Sequence, residues 1–136
     1  MTHLLLDTCA AIWLADDAPF AADARTAVET AASNHALWIS PFSAWEMAVL
    51  IRKKRMPQTI SAIEWFDRLA RRRDIRVATA DAEILVESQS LPGGFHNDPA
   101  DRFIVATARR LNAAVVTRDK PILNYAAFGH VRVLPC

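Results

Sequence analysis

The sequence predicts an α/β protein with a central parallel sheet of four to five strands and helices on both faces, which is a three-layer α/β/α arrangement. Short β-branched runs alternate along the chain with amphipathic helical segments, as in parallel sheets that are covered on both sides. The 136 residues, 52% of them apolar, suit a single domain over residues 1–136 with one core. We expect right-handed crossovers, with functional groups at the carboxyl ends of the strands.

The first half of the chain contains two predicted strands and four predicted helices. A break over residues 16–19 ends the first helix, and Ser40 followed by Pro41 is typical of a helix N-cap and first turn. The predicted elements are strand 3–6, helix 7–15, helix 22–33, strand 36–40, a helix that begins at Pro41 and ends before Pro57, and helix 59–72. On the last two helices, the residues expected to face the core are Trp45, Ala48, Val49, Ile63, Phe66, Leu69 and Ala70.

The second half continues the alternation. Ile104, Ala108 and Leu111 recur at helical spacing, and Asn112 suits the end of that helix. The predicted elements are strand 75–78, a helix capped by Thr79 that ends near Ser88, helix 99–111, strand 114–117 and a short strand over 131–134.

Composition excludes several classes of protein. A net charge of +1 is too small to indicate nucleic-acid binding from the overall field. No apolar run approaches the roughly 20 residues of a membrane helix and no signal peptide is visible, so we expect no membrane association and a cytoplasmic location. Cys9 and Cys136 lack CxxC spacing, which predicts neither a disulfide framework nor a zinc site. The four histidines are too scattered to be expected as ligands: His3, His35, His96 and His130.

Two basic clusters stand at predicted helix ends. The first is Arg52, Lys53, Lys54 and Arg55, and the second is Arg71, Arg72 and Arg73. Cations at helix carboxyl ends often only complement the helix dipole and stay solvated. As a pair, the clusters are also candidate rims that contact the phosphates of a nucleic acid.

Two carboxylates, Asp98 and Asp101, stand three residues apart where a Gly-rich loop becomes a helix. Three helical residues turn about 300°, so both side chains lie on one face. Asp98 before Pro99 reads as an N-cap and first turn, and capping by itself explains such a pair. The alternative is that the two acids hold a metal ion, and this gains weight only if other acids reach the same place.

Three further acids are predicted at the same edge of the sheet. Asp7 follows the first strand directly, Glu46 lies in the first turns of the helix after the second strand, and Asp119 follows the strand 114–117. Four carboxylates in one cleft cannot all ionise without a cation, and oxygen ligands select Mg²⁺ or Mn²⁺. The hydroxyls expected to support these acids are those of Thr8, Ser43 and Thr117.

Four blocks of the sequence together resemble the PIN-domain family, and more narrowly the VapC-type toxins of bacterial toxin–antitoxin modules. The blocks are residues 4–8 (LLLDT), 40–46 (SPFSAWE), 98–108 (DPADRFIVATA) and 117–119 (TRD). The resemblance implies a PIN-like fold and an endoribonuclease that depends on Mg²⁺ or Mn²⁺. By position, the family's acidic quartet corresponds to Asp7, Glu46, Asp101 and Asp119, with Asp98 as a cap or water-mediated ligand at the edge of the site. Cys9 stands where many relatives have Asn.

The resemblance also implies a mechanism and partners. Metal ions would lower the pKa of a bound water that attacks phosphorus in line, with Asp7 and Asp101 as direct ligands. Glu46 would be a ligand or would orient that water, and Asp119 would hold a second metal or a hydrated first one. The expected substrate is single-stranded or loop RNA. The expected partners are an identical subunit and a cognate antitoxin, in a heterotetramer or larger assembly. The candidates for the antitoxin groove or the dimer face are Trp13, Trp45, Trp65 and Phe66.

Two alternatives remain open at this point. A PIN-like module could bind RNA or protein without cutting it, although nothing in such a module requires the acids to lie together. A Mg²⁺-binding receiver-type signalling domain also has an acidic strand edge. That class needs an adjacent acid pair after the first strand, and Asp7 stands alone there.

Overall fold

The computed structural model describes residues 2–57 and 59–136, and within them it contains five strands and seven helices. The strands are β1 (Leu4–Leu6), β2 (Leu37–Ile39), β3 (Arg76–Val77), β4 (Ala114–Thr117) and β5 (Arg132–Pro135). The helices are α1 (Thr8–Ala15), α2 (Ala22–Ser33), α3 (Pro41–Arg52), α4 (Ala62–Arg72), α5 (Ala82–Glu87), α6 (Pro99–Leu111) and α7 (Lys120–Ala127). In this part of the chain, no helix is both long and apolar enough to span a membrane.

All five strands are parallel and form one sheet in the order β3-β2-β1-β4-β5. Helices cover both of its faces. Leu6 packs on one side with Val28 of α2, and Leu5 packs on the other with Ile104 of α6 and Ile122 of α7. The predicted three-layer α/β/α class is therefore confirmed, and the burial of both faces explains why β1 is apolar at every position.

The strand order changes direction at β1. The chain runs outward from β1 to β2 and β3, and then returns to place β4 on the other side of β1. In the register, Leu6 pairs with both Ile39 and Val116, so the ends of three strands lie side by side. Such a switch point leaves a crevice at the carboxyl edge of a parallel sheet. At this edge, Asp7 directly follows β1 and Thr117 is the last residue of β4.

The predicted inward face is wrong on α3 and at Ile63 of α4, whereas Phe66 and Leu69 of α4 are buried as predicted. Trp45 on α3 is 51% exposed and Ile63 on α4 is 61% exposed. The buried residues of α3 are Ser43 and Met47, and Ala48 is exposed. The prediction was wrong because it followed the most apolar stripe. The face of α3 that packs inward instead carries a small hydroxyl next to the acidic edge.

Two helix starts were also mispredicted, and one helix was not predicted. Asp81, and not Thr79, caps α5, because its side chain accepts the N–H of Ile84 at 3.1 Å. Helix α4 begins later than residue 59, behind the N-cap Ser61. Helix α7 was not predicted. It spans two turns only, with a proline in its first turn and a short buried face, so its hydrophobic period is too brief to recognise.

Candidate active site

Asp7 follows β1 and caps α1. Its Oδ1 accepts the N–H of Ala10 at 2.7 Å, and its Oδ2 accepts the hydroxyl of Thr117. The residue is 6% exposed. This burial raises the pKa of the Asp7 carboxyl above its ordinary value, and the charge of Asp119 adds to the rise, while the two hydrogen bonds act in the opposite direction. Asp7 is therefore both a helix cap and a buried acid at the sheet edge.

Glu46 reaches the same edge from the second turn of α3. Its Oε1 accepts the hydroxyl of Thr8, and the Thr8 oxygen lies 3.0 Å from the hydroxyl oxygen of Ser43. Burial raises the pKa of Glu46, and the charge of Asp98 raises it further. The structure thus joins two of the predicted supporting hydroxyls to one of the predicted acids.

Asp98 and Asp101 open α6 in different roles. The Asp98 carboxylate accepts the N–H groups of Ala100 at 3.0 Å and of Asp101 at 3.4 Å, which makes it the N-cap. The side chain of Asp101 is 21% exposed. Desolvation, followed by the charges of neighbouring acids, raises the pKa of Asp101 to about 8. The capping interpretation therefore holds for Asp98, while Asp101 faces the acidic cleft.

Asp119 caps α7 and is tied to Asp7 through one hydroxyl. Its Oδ2 accepts the N–H of Ile122 at 3.2 Å. Its own N–H donates to the hydroxyl oxygen of Thr117 at 2.9 Å, and that hydroxyl donates to Asp7. Thr117 is fully buried, so this chain of hydrogen bonds is shielded from water.

His96 is the residue that the sequence interpretation missed. It was expected to be a loop or surface residue, but its Nε2 lies 3.1 Å from Oδ2 of Asp101. Potential ligand atoms of His96, Asp101 and Asp119 all lie within 4.8 Å of one another. The spacing in the sequence could have indicated this contact, because His96, Asp98 and Asp101 all fall in the short segment that leads into α6.

The acids are close enough to act on one another. Four charges contribute to the raised pKa of Asp101, and in order of size they come from Asp98, Asp119, Glu46 and Asp7. Buried carboxylates that repel each other ionise together only beside a compensating cation. A donor set made mainly of carboxylate oxygens fits a hard divalent ion. The residues at this edge are therefore suited to hold a metal ion.

The two basic clusters lie at the carboxyl ends of two different helices, α3 and α4. The arginines at 71–73 end α4 just before β3, at the amino edge of the parallel sheet, and Arg73 contacts Asp17 beyond the end of α1. They lie on the side of the sheet where β3 begins, whereas the acids lie where β1 and β4 end, and the contact of these arginines with phosphates stays a prediction. The residues at 52–55 are exposed at the end of α3, which carries Glu46 one to two turns earlier.

The chain is similar to known proteins in sequence and in fold. A family model for the PIN domain matches residues 4–127. "Ribonuclease VapC22" of Mycobacterium tuberculosis is 30% identical over 126 residues, which cover 92% of this chain and 93% of that protein. The crystal structure of VapBC2 from Rickettsia felis, bound to a promoter DNA fragment, aligns with a TM-score of 0.70 at 16% identity over 98% of both chains. FitAcB from Neisseria gonorrhoeae aligns with a TM-score of 0.55 at 21% identity over 96% of both chains.

Proposed function

The chain belongs to the PIN-domain family, and on this premise we propose that it is a metal-dependent endoribonuclease, the VapC-type toxin of a type II toxin–antitoxin module. The observation that carries the proposal is the meeting of Asp7, Glu46, Asp101 and Asp119 at one sheet edge, where burial and mutual repulsion raise the pKa of Asp101 to about 8. The mycobacterial relative, a ribonuclease by name, supports the hydrolytic activity. A module that only binds would not require this costly arrangement.

The ion that fits is Mg²⁺ or Mn²⁺, and Asp7, Asp101 and Asp119 would hold it, with Asp98 at the edge as cap. When bound, a divalent ion supplies a Lewis acid for the phosphodiester and lowers the pKa of a coordinated water. Carboxylate and water oxygens suit Mg²⁺ and Mn²⁺, whereas the thiolate and imidazole groups typical of zinc and copper sites are not the main donors here. With a cation bound, the repulsion between the carboxylates would be offset, and all of them could be ionised at neutral pH.

The protein residues orient the reacting groups. Thr117 and the N–H of Ala10 fix the two oxygens of Asp7, which gives this carboxylate one direction. Thr8 holds Oε1 of Glu46. Because burial raises its pKa, Glu46 is suited to orient the attacking water or to accept its proton. Glu46 can alternatively serve as a metal ligand.

The substrate we propose is single-stranded or loop RNA, whose unstacked nucleotides reach a recessed cleft. The exposed cations at 52–55 are suited to contact phosphates on the α3 side. Of the second cluster, the exposed Arg71 and Arg72 can contact only RNA that extends around to the opposite edge of the sheet.

The antitoxin partner is proposed to bind in the groove between α1, α3 and α4. This groove has a volume of about 340 Å³, and its apolar lining includes Ile12, Met47, Ile51, Ile60, Trp65 and Leu69, with Arg68 and Arg72 beside them. Such a lining suits a segment with apolar anchors and acidic neighbours. Of the four aromatic candidates, Trp65 lines the groove, Phe66 is in the core, Trp45 is exposed and Trp13 stacks on Arg118. We further propose that the toxin is a homodimer.

The groove is tested by placing a charge in it. Ile51→Glu should prevent capture by the product of a small gene next to the toxin gene, and Ile63→Glu, on the exposed face of α4, should leave capture unchanged. Co-purification of the tagged partner is the measurement. Equal capture by both variants would place the partner elsewhere.

The activity is tested with purified, partner-free protein and a panel of single-stranded and structured RNAs. We expect cleavage with Mg²⁺ or Mn²⁺, none with chelator, and a loss of at least about 100-fold in Asp7→Asn and Asp101→Asn. Asp67→Asn, on the exposed side of α4, is the matched control. Folded wild-type protein that binds metal but cuts no RNA would favour the non-cleaving PIN-like module.

A further inference from the structure

His96 lies in the acidic cleft without belonging to the acidic quartet. Its Nε2 is 3.1 Å from Oδ2 of Asp101, but the contact is not aligned as a hydrogen bond. Among the described residues, the buried Nε2 has no aligned partner. An imidazole nitrogen at this place acts either as a metal ligand or as a donor to the carboxylate, and its surroundings distinguish the two.

The loop that carries His96 is held by Arg102. The guanidinium donates from Nε to the carbonyl of Ser88 at 2.7 Å, and from Nη1 to the carbonyls of Phe95 at 2.9 Å and His96 at 3.1 Å. The imidazole ring of His96 also packs edge-on against the ring of Phe95, with the two ring centroids 4.4 Å apart. His96 therefore has a firm support although it lies outside a helix or strand, and firm support is what a group that orients another needs.

The hydrogen bond at Nδ1 determines the tautomer. The backbone N–H of Asp98 points at Nδ1 from 3.3 Å, so Nδ1 is the acceptor. The proton of the neutral ring is then on Nε2, which faces Asp101. A protonated Nε2 does not bind a cation, but it can donate to a carboxylate oxygen. Contacts of this kind are often poorly aligned before the ligand binds and tighten afterwards.

We propose that His96 is a positioning residue for the metal centre: its Nε2–H holds Oδ2 of Asp101 and so fixes the orientation of the carboxylate that binds the cation. The inference rests on the proposed metal-dependent function. The segment from His96 to Asp101 is then one unit, because Asp98 directs the ring through its N–H and caps α6 through its side chain. Outer partners that orient ligating carboxylates contribute strongly to metal affinity.

The test measures metal binding without RNA. The dissociation constant of Mn²⁺ is obtained by electron paramagnetic resonance, and that of Mg²⁺ by competition, for wild-type protein, His96→Ala and His96→Gln. We expect His96→Ala to weaken both metals by a similar factor, about 10- to 100-fold. The Gln amide places an N–H near the position of Nε2, so His96→Gln should recover most of the affinity. His35→Asn, at an exposed histidine, is the control and should bind as wild type.

Other outcomes would overturn the inference. A much larger loss for Mn²⁺ than for Mg²⁺ in His96→Ala would make His96 a nitrogen ligand, since imidazole suits the softer ion. Unchanged affinity in His96→Ala, or no recovery in His96→Gln, would leave it without a positioning role. Wild-type protein that binds neither ion would refute the metal-dependent function and the inference with it. Thermal unfolding in chelator checks that each variant folds. If His96→Ala does not fold, the metal affinity of His96→Gln is compared with that of wild-type protein instead.

Discussion

The hydroxyl of Thr117 donates to the carboxylate of Asp7 across 110 residues of sequence. The contact joins the ends of β4 and β1, which neighbour each other because Leu6 pairs with Val116. The same hydroxyl oxygen accepts the N–H of Asp119. One buried side chain therefore sets the position of two acids, and the precision of the cleft depends on the register of the sheet.

Thr117→Val should destabilise the protein. The change keeps the shape of the side chain but leaves the buried Asp7 oxygen and the Asp119 N–H without their partner, which costs about 1–3 kcal/mol in the free energy of unfolding. Urea denaturation is the measurement. Thr107→Val is the matched control, since Thr107 is also buried but bonds only the carbonyl of Phe103 in its own helix. Equal losses in the two variants would contradict the role of Thr117.

The stability of the metal-free protein should fall as the pH rises from 5 to 8. The pKa of Asp101 is about 8 in the folded protein against an ordinary value of 3.8, so the folded state binds this proton more tightly than the unfolded chain does. The resulting stabilisation is complete below the unfolded pKa and is lost as the pH rises through the folded pKa. Urea titrations in chelator at pH 5 and pH 8 measure the difference.

The matched variants separate Asp101 from the other acids. Asp101→Asn should reduce the pH 5 to pH 8 difference, because the group that titrates is gone, and the exposed Asp67→Asn should retain it. Saturating Mg²⁺ should also reduce the difference in wild-type protein, because a bound cation favours the ionised carboxylate. If Asp101→Asn showed the wild-type difference, the titration would belong to another group.

Arg102→Lys should lower both stability and metal affinity. A lysine has a single ammonium group and cannot reach the carbonyls of Ser88, Phe95 and His96 together. We expect a loss of about 2–3 kcal/mol in the free energy of unfolding, as for hydrogen bonds to a charged group. Arg110→Lys, in an exposed ion pair with Asp81, should change stability by less than about 1 kcal/mol. If Arg102→Lys left the free energy of unfolding unchanged, the loop would be held by other contacts.

Cys9 should be a slow nucleophile despite its exposure. Desolvation and the charges of the neighbouring acids raise the pKa of its thiol to about 11, with Asp7 the largest of these charges. Alkylation by iodoacetamide at pH 8, followed by mass spectrometry in a Cys136→Ser background, should be on the order of 100-fold slower than in urea-unfolded protein. The Asp7→Asn variant should react faster. A folded rate equal to the unfolded rate would contradict the acidic field around Cys9.

Local chemistry made much of this protein predictable. Asp98 before Pro99 predicted a helix cap, and the structure has one, because a cap depends only on neighbours within one turn. The face of α3 was mispredicted because the choice between Trp45 and Ser43 is made by the elements that pack against the helix. His96 was missed for the same kind of reason, since its contact with Asp101 depends on how a loop folds back under Arg102.

By itself, the sequence determined the alternation of strands and helices, because this follows from periodicity. It also determined that Asp7 and Asp119 directly follow strands and that Glu46 lies in the helix after a strand, and the carboxyl ends of parallel strands share one edge. Only the tertiary structure decided which charges act on Asp101, which hydroxyl joins Asp7 to Asp119, and which edge the arginines at 71–73 occupy. These depend on strand order and packing between residues far apart in the chain. Because desolvation and charge–charge repulsion act over a few ångströms, they arise only once the sheet has assembled.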